Sequence, residues 1–498
     1  MSKTLLFILL LSVLLRVGVA LYLGDEISDI RGGTHDQISY DALAQRVAAG
    51  YGFSFGSAWW PGVAADQPTA FWSYLYTLYL AGVYTLFGHN ILAARLIQAV
   101  AVGLAMPWLT YRLAHRLFSS PSPPQERGPG GEVAAAISAV YLYFVTYGAS
   151  LMTEAAYMAG ILWTLDAAMR LAQALQGAST SRRRLRLGVE LGLAMGVTLL
   201  LRQVIVPFLA VLALWFLWLG WRRGWLRRAL RPLAAAALVA FLLCLPFIVR
   251  NYRAFGVLSM PNTNTGFAFF WANHPIYGTR FEAALSPGHG VSYQHLIPPE
   301  LRGLNDARLD RALLARGVQF VLDDPGRYLL LSLSRVPIYF QFWPTPQSTL
   351  LSNASRLLSF GLFLPFMLYG LILAVRHLRP GGPLHAAGAD DLRPAFLALT
   401  WLFMAVYTLV HLASWANVRY RLPVDAVWIL YAGYALNDLG ERMTRRLQTS
   451  LSDARPTCWM CLAGARWQVF MIGSKSRGDR VGNDATSAGG ADGVVAGR

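Results

Sequence analysis

Residues 71–87 read Phe71-Trp72-Ser73-Tyr74-Leu75-Tyr76-Thr77-Leu78-Tyr79-Leu80-Ala81-Gly82-Val83-Tyr84-Thr85-Leu86-Phe87. No charged residue interrupts the run. Whether it crosses a membrane or lies in its surface sets the sidedness of every later segment. That a membrane is involved follows from composition. Of 498 residues, 55% are apolar and only 14% charged, with a mean hydropathy of +0.41. A soluble chain carries about a quarter charged residues. Disordered, collagen-like and disulfide-scaffold classes are excluded by the high apolar content, the aperiodic Gly and only three Cys. The class left is a polytopic membrane protein.

A spanning helix needs about 20 mostly apolar residues. Such runs begin near Thr4, Ala93, Val133, Met152, Leu187, Val204, Pro232, Arg356, Pro394 and Pro423. The first is read as an uncleaved span, because Arg16 interrupts it and many spans follow. Basic loops then set orientation. Arg182-Arg183-Arg184 with Arg186, the group Arg222, Arg223, Arg227, Arg228 and Arg231, the pair Arg376 and Arg379, and Arg442, Arg445 and Arg446 should all be cytoplasmic. If residues 71–87 spanned, the loop at Arg182 would fall outside. Lying in the interface, where its Tyr and Trp are at home, the run puts every basic loop inside. The same parity makes Tyr328 to Trp343, broken by Arg335 and Pro337, interfacial.

The expected fold is therefore all-α, with about ten transmembrane helices and both termini inside. A membrane domain should cover residues 1–440. Its first outside loop is residues 24–92 and a large one, after span seven, residues 250–355. The stretch 121–131 reads as a cytoplasmic linker, and residues 441–498 as a cytoplasmic tail, polar and disordered from about 452. The net charge of +17 is thereby mostly cytoplasmic anchoring, and no nucleic-acid partner is expected. Cys244 falls in a span, and Cys458 and Cys461 form one pair in the tail. A zinc site needs about four ligands, so no metal site is assigned.

The chemistry should lie outside. Thr34-His35-Asp36-Gln37 fits a capping box, starting a helix that runs to Ala49 and stops at Gly50. Asp36 then sits in the first turn. It either complements the helix dipole or serves as a carboxylate able to take a proton. Asp41, five residues on, points about 140° away. Glu154 sits where span three turns into span four, on the same side as Asp36, and Asp66 is a third outside carboxylate. Arg202, Arg250, Arg419 and Arg421 mark outer span ends. They either snorkel to headgroups or bind a phosphate. Arg16, inside span one, needs a protein or lipid-phosphate partner.

The order of these motifs resembles the C-type glycosyltransferase superfamily, nearest to bacterial relatives of the protein O-mannosyltransferases and the lipid A aminoarabinose transferases. Asp36-Gln37-Ile38-Ser39-Tyr40-Asp41 with Gly50-Tyr51-Gly52-Phe53 resembles the first outside loop. Leu86-Phe87-Gly88 with Ala93-Ala94-Arg95-Leu96 resembles the entry to the second span. Glu154 matches an acidic position, and Leu201-Arg202 a motif in which Gln203 replaces proline. Arg250-Asn251-Tyr252, Asn264-Thr265-Gly266 and Trp271-Ala272-Asn273 resemble the start of the large loop, and Arg419-Tyr420-Arg421-Leu422-Pro423 a late motif. The resemblance covers about residues 4–440. Gln37 stands where a second acid is common, and Ser73-Tyr74 where a double proline is usual.

The resemblance implies a polyprenyl-phosphate sugar donor, a protein, lipid or glycan acceptor, and an active face outside the cytoplasm at the plasma membrane. Asp36 inherits the role of general base. Glu154 orients the acceptor or a cation. Asp41, Arg202, Arg250, Asn251, Tyr252, Arg419, Tyr420 and Arg421 become substrate-binding candidates. Metal dependence varies across the superfamily, so a divalent cation is compatible and no cofactor is assigned. The alternative is a lipid-sugar flippase, which needs charged or broken helices at mid-membrane.

Overall fold

A computed structural model describes residues 2–27, 36–118, 130–285, 291–346, 348–379, 382, 384 and 391–453. Thr34, most of the 121–131 stretch and the Cys458/Cys461 pair lie outside the described residues. The chain divides into a large unit, Met1–Arg442, and a small one, Met443–Arg498. Described residues of the small unit continue as helix.

The elements, in order, are α1 (Lys3–Leu23), α2 (Asp36–Ala48), α3 (Tyr74–Phe87), α4 (Ile91–Phe118), α5 (Gly130–Val140), α6 (Leu142–Ala149), α7 (Glu154–Gln176), α8 (Ser181–Leu201) and α9 (Val206–Arg222). There follow α10 (Leu226–Phe255), α11 (Thr265–Ala272), α12 (Asp306–Asp323), α13 (Pro325–Tyr339), α14 (Leu350–Arg356), α15 (Leu362–His377), α16 (Arg393–Ala413) and α17 (Val418–Asp453). The protein is nearly all helical, as expected, and is an integral multi-pass membrane protein.

Six helices among the described residues are long and apolar enough to cross a membrane: α1, α4, α9 with its preceding turn, α10, α14–α15 and α16. The pair α5–α6, bent by 56°, makes a seventh if taken as one span. The other three of the ten expected spans correspond to α7, α8 and α17, which are long enough but less apolar. The charges within the apolar part of α7 and α8 have partners. Asp166 on α7 is fully buried and receives Arg112 at 3.0 Å, Arg116 at 3.1 Å and Arg170 at 2.8 Å. Arg170 also pairs with Glu190 on α8. Mutual pairing lets charge sit inside a bundle, but it hides these helices from a hydropathy count.

The α8–α10 crossing is set by small residues. A Cβ on Gly188 would lie 2.3 Å from Pro232 O, on Gly192 2.5 Å from Ala236 O, and on Gly196 2.6 Å from a Leu243 methyl. This four-residue glycine spacing lets two backbones approach where lipid offers no hydrophobic drive.

Arg16 explains the bent span. The α5–α6 break at Tyr141 leaves carbonyls without helical donors. Arg16 Nη2 donates to Ser138 O at 3.1 Å and Nη1 to Ala139 O at 3.2 Å, while Nη1 also reaches Ser12 Oγ at 2.6 Å. Gly103 and Gly148 pack on its stem. Its partner is therefore the broken helix, one of the two kinds of partner expected.

The deciding run 71–87 becomes α3, 14 residues long. At 1.5 Å per residue that is about 21 Å, short of the roughly 30 Å of a bilayer core. Its tyrosines differ from expectation: Tyr74, Tyr76 and Tyr84 face protein, not headgroups. Tyr76 OH donates to Gln98 Oε1 at 2.7 Å and Tyr84 OH to Asp41 Oδ1 at 2.6 Å. Leu78, Leu86 and Phe87 are its exposed large apolar residues. α13, from the second ambiguous run, is equally short at 15 residues. It exposes Leu329, Leu330 and Leu333 and buries Leu331, Arg335 and Tyr339.

The segment between α10 and α14 is tied to the first loop and to the spans. Asp306 accepts from Thr69 Oγ1 (2.6 Å) and Ala70 N (3.1 Å), fixing α12 to residues 69–70. Asp310 accepts from Gly266 N and Phe267 N, capping α11. Arg335 donates to Ala272 O, Asn273 Oδ1 and Leu412 O, joining α11 and α13 to the end of α16.

Candidate functional site

Two carboxylates and two guanidiniums from four separate elements meet in one cluster. Asp36 is the first residue of α2, and Glu154 the first of α7. Each therefore faces the positive end of its own helix. Arg202 occupies the extended residue (φ −154°) between α8 and the turn into α9. Arg419 lies in the first turn of α17. Arg419 Nη1 donates to Asp36 Oδ2 at 2.5 Å and stands 3.8 Å from Glu154 Oε1. Arg202 Nη2 donates to the same Glu154 oxygen at 2.5 Å, and its Nε to Thr153 Oγ1 at 2.7 Å. Glu154 is only 2% exposed, yet its Oε2 has no hydrogen-bond partner among the described residues. A buried carboxylate oxygen left open is costly, and its complement is a hydrogen-bond donor.

Aromatic rings frame the cluster. The Tyr420 ring lies 5.0 Å from the Arg419 guanidinium and 5.8 Å from that of Arg202. His411 stacks on Tyr420 at 5.0 Å. Burial pushes the Tyr40 phenol well above its ordinary range, so it stays neutral beside the two acids. Gln37 Oε1 accepts from Leu151 N, which fixes α2 against the turn carrying Glu154.

Of the residues singled out from sequence, Asp36, Glu154, Arg202, Arg419 and Tyr420 come together. The others are engaged elsewhere. Asp41 accepts from Tyr84 OH and Gln45 Nε2 and pairs with His89 at 2.8 Å. Arg250 donates to Phe53 O, Thr69 O and Tyr74 OH, bracing the first loop against α10. Asn251 is fully buried and donates to Met260 O and Pro261 O, while Tyr252 is exposed. Arg421 is fully buried with Asp425 (3.0 Å), donates to Tyr339 O, and stacks on Phe360 at 3.5 Å. Asp66 pairs with Arg46 in a turn where its own φ is +59°. Sequence reading missed Thr153, Tyr40 and His411 around the cluster, and Asp425 as the partner of Arg421. Only Asp425 had a signal, its four-residue spacing from Arg421.

The donor set does not suit a divalent cation. Among the described residues no three His, Cys, Asp or Glu side chains group as ligands. Asp36 and Glu154 already face guanidiniums, and Gln37 is committed to the backbone.

Residues 71–249 match the family described as dolichyl-phosphate-mannose-protein mannosyltransferase. No curated protein matches the sequence. Among solved structures, the chain is similar to the Archaeoglobus fulgidus oligosaccharyltransferase tethered to an acceptor peptide containing an NVT sequon. That match has a TM-score of 0.53 and 16% identity, covering 91% of this chain and 52% of that one. The archaeal oligosaccharyltransferase AglB from the same organism, with an inhibitory peptide and a dolichol-phosphate, matches at a TM-score of 0.50 and 16% identity, over 94% and 52%. ArnT from Cupriavidus metallidurans, bound to undecaprenyl phosphate, matches at 0.46 and 14%, over 91% and 63%. The chain spans about half the length of the oligosaccharyltransferases it matches. At such identities the likeness is one of fold, shared with the archaeal oligosaccharyltransferases.

Proposed function

We propose that this chain is a membrane glycosyltransferase. It moves a sugar from a polyprenyl-phosphate donor to an acceptor hydroxyl at the outer face of the plasma membrane, with inversion. The observation that carries this reading is the buried cluster of Asp36, Glu154, Arg202 and Arg419. The dolichol-phosphate named with the similar AglB supports the donor class, as does the family matched by residues 71–249.

In this reading the open Glu154 Oε2 accepts from a second donor group of the acceptor and so orients it. The acceptor hydroxyl donates to Asp36, which takes the proton as the oxygen attacks the anomeric carbon. The bond from that carbon to the phosphate oxygen breaks, and its electron pair leaves on the lipid phosphate. Arg202 and Arg419 face the developing charge. One displacement at one carbon inverts it. Among the described residues the cluster sets two guanidiniums against two carboxylates. A donor phosphate that draws Arg419 toward itself releases Asp36 from its ion pair, so the base is strongest when the donor is bound. Acceptors open to the site are protein, lipid or glycan hydroxyls.

The flippase reading draws on the α5–α6 break and the buried Arg421–Asp425 pair, and movement of a lipid-linked sugar across liposomes by the purified protein without transfer would favour it. Mass spectrometry of lipid-linked sugars and surface glycans, with and without the protein, tests the proposal. Loss should leave one polyprenyl-phosphate sugar accumulating and one glycan missing that sugar. Unchanged pools and glycans would contradict it.

A further inference from the structure

Residues 250–355 hold nine arginines against six Asp or Glu, so cations at this face are more numerous than the span ends alone suggested. Four of the nine, Arg250, Arg302, Arg327 and Arg335, donate to backbone carbonyls away from the turn that ends α10. Three others gather round the turn that ends α10. Arg253 lies in the last turn of α10 and is exposed. Arg308 brings Nη2 within 3.7 Å of the Cβ position of Gly256. Arg311 Nη2 donates to Leu258 O at 3.0 Å. None of the three forms an ion pair among the described residues. The acids nearest in sequence, Asp306 and Asp310, are turned inward onto residues 69–70 and the start of α11.

The height of this group in the membrane follows from the chain. α10 is one of the apolar spans, its basic start at Arg227, Arg228 and Arg231 marks the cytoplasmic end, and Phe255 closes the other. The turn after Phe255 therefore lies at the outer headgroups. It is also greasy: Tyr252 is 58% exposed, Leu258 68% and Met260 46%. The α10 C-terminus alone does not account for three cations, since a helix end carries only about half a negative charge.

We propose that Arg253, Arg308 and Arg311 seat the phosphate of an anionic phospholipid of the outer leaflet, with its acyl chains against Tyr252, Leu258 and Met260. Guanidiniums match phosphate oxygens in charge and geometry, and the apolar side chains meet the lipid just below. The proposal rests on the orientation set by the basic loops, not on sugar transfer.

The test uses the full chain in detergent with Cys244, Cys458 and Cys461 replaced by Ser and a fluorophore on Met260→Cys. Phosphatidylglycerol with brominated acyl chains is titrated in, and phosphatidylcholine with the same chains serves as comparison. Each arginine near an anionic group contributes about a fivefold factor. Phosphatidylglycerol should therefore quench at a concentration at least about tenfold below phosphatidylcholine. Combining Arg253→Gln, Arg308→Gln and Arg311→Gln should raise its midpoint roughly a hundredfold. Should the triple variant not fold, Arg253→Gln and Arg308→Gln alone should each shift it about fivefold. Equal quenching by the two lipids, or variants that bind as the parent does, overturns the proposal. Displacement by millimolar inorganic phosphate would assign the arginines to a free anion and overturn it as well.

Discussion

Arg16→Met removes the guanidinium that bridges the α5–α6 break while keeping an unbranched stem. Two carbonyls, Ser138 O and Ala139 O, lose their donor in a setting without water. A hydrogen bond from a charged donor contributes about 1.5–3 kcal/mol, so the pair amounts to about 3–6 kcal/mol. The Ser12 Oγ contact adds less, because that hydroxyl can turn back to its own helix. For a chain of this length each kcal/mol moves the unfolding temperature by about 1–2 °C, by extension of the values for shorter domains. Arg16→Met should then unfold roughly 3–12 °C lower in detergent, followed by tryptophan fluorescence on a heating ramp. Arg16→Lys should fall between, since one ammonium lacks the fork that meets both carbonyls. An Arg16→Met protein that unfolds within about 1 °C of the parent would refute the reasoning and leave the break held by something else.

Other perturbations test separate parts of the account. Gly192→Val places a branched side chain where a Cβ already meets Ala236 O at 2.5 Å. It should force α8 and α10 apart and cost about 3 kcal/mol or more, read as lost monodisperse yield and a lower unfolding temperature. Asp310 gives a pH dependence: burial pushes its carboxyl up to about 7, above the unfolded value near 4. The folded form then holds a proton that the unfolded chain has lost, so this group's contribution is full below about pH 4 and fades as pH rises through about 7. Asp310→Asn keeps an acceptor for Gly266 N and Phe267 N and should flatten that slope; an unchanged slope would count against the assignment. Glu154→Gln keeps the shape but leaves Arg202 and Arg419 facing one carboxylate. It should lower kcat/KM for transfer about a hundredfold or more, and a loss under threefold would remove Glu154 from the reaction.

The sequence made the strongly apolar spans visible, and α1, α4, α9, α10 and α16 needed only length and hydropathy. α7 and α8 were harder because Asp166 and Glu190 look like charges in lipid until Arg112, Arg116 and Arg170 are seen to close on them. The α5–α6 break carries no proline, and the residue that makes it tolerable is more than 120 positions away. At the site, Asp36 and Glu154 stood out as carboxylates on one side of the membrane. The arginines could not be sorted the same way. Arg250 and Arg419 both sit beside a span end in similar local sequence. Only contacts far along the chain send one to the carbonyls of Phe53 and Thr69 and the other, across 383 residues, to Asp36. The tyrosines of residues 71–87 misled for a related reason. Their amphipathic character suits a headgroup layer or a buried hydrogen bond equally well, and Gln98 and Asp41 decide for the latter.

The central claim is that Asp36 accepts a proton in sugar transfer from a lipid phosphate. Purified protein reconstituted with a panel of polyprenyl-phosphate sugars and a surface-glycan extract measures it directly, with Asp36→Asn beside the parent at equal folded amount. Transfer by the parent with one donor, at least about a hundredfold slower in Asp36→Asn, is the predicted result; full transfer by Asp36→Asn would contradict it.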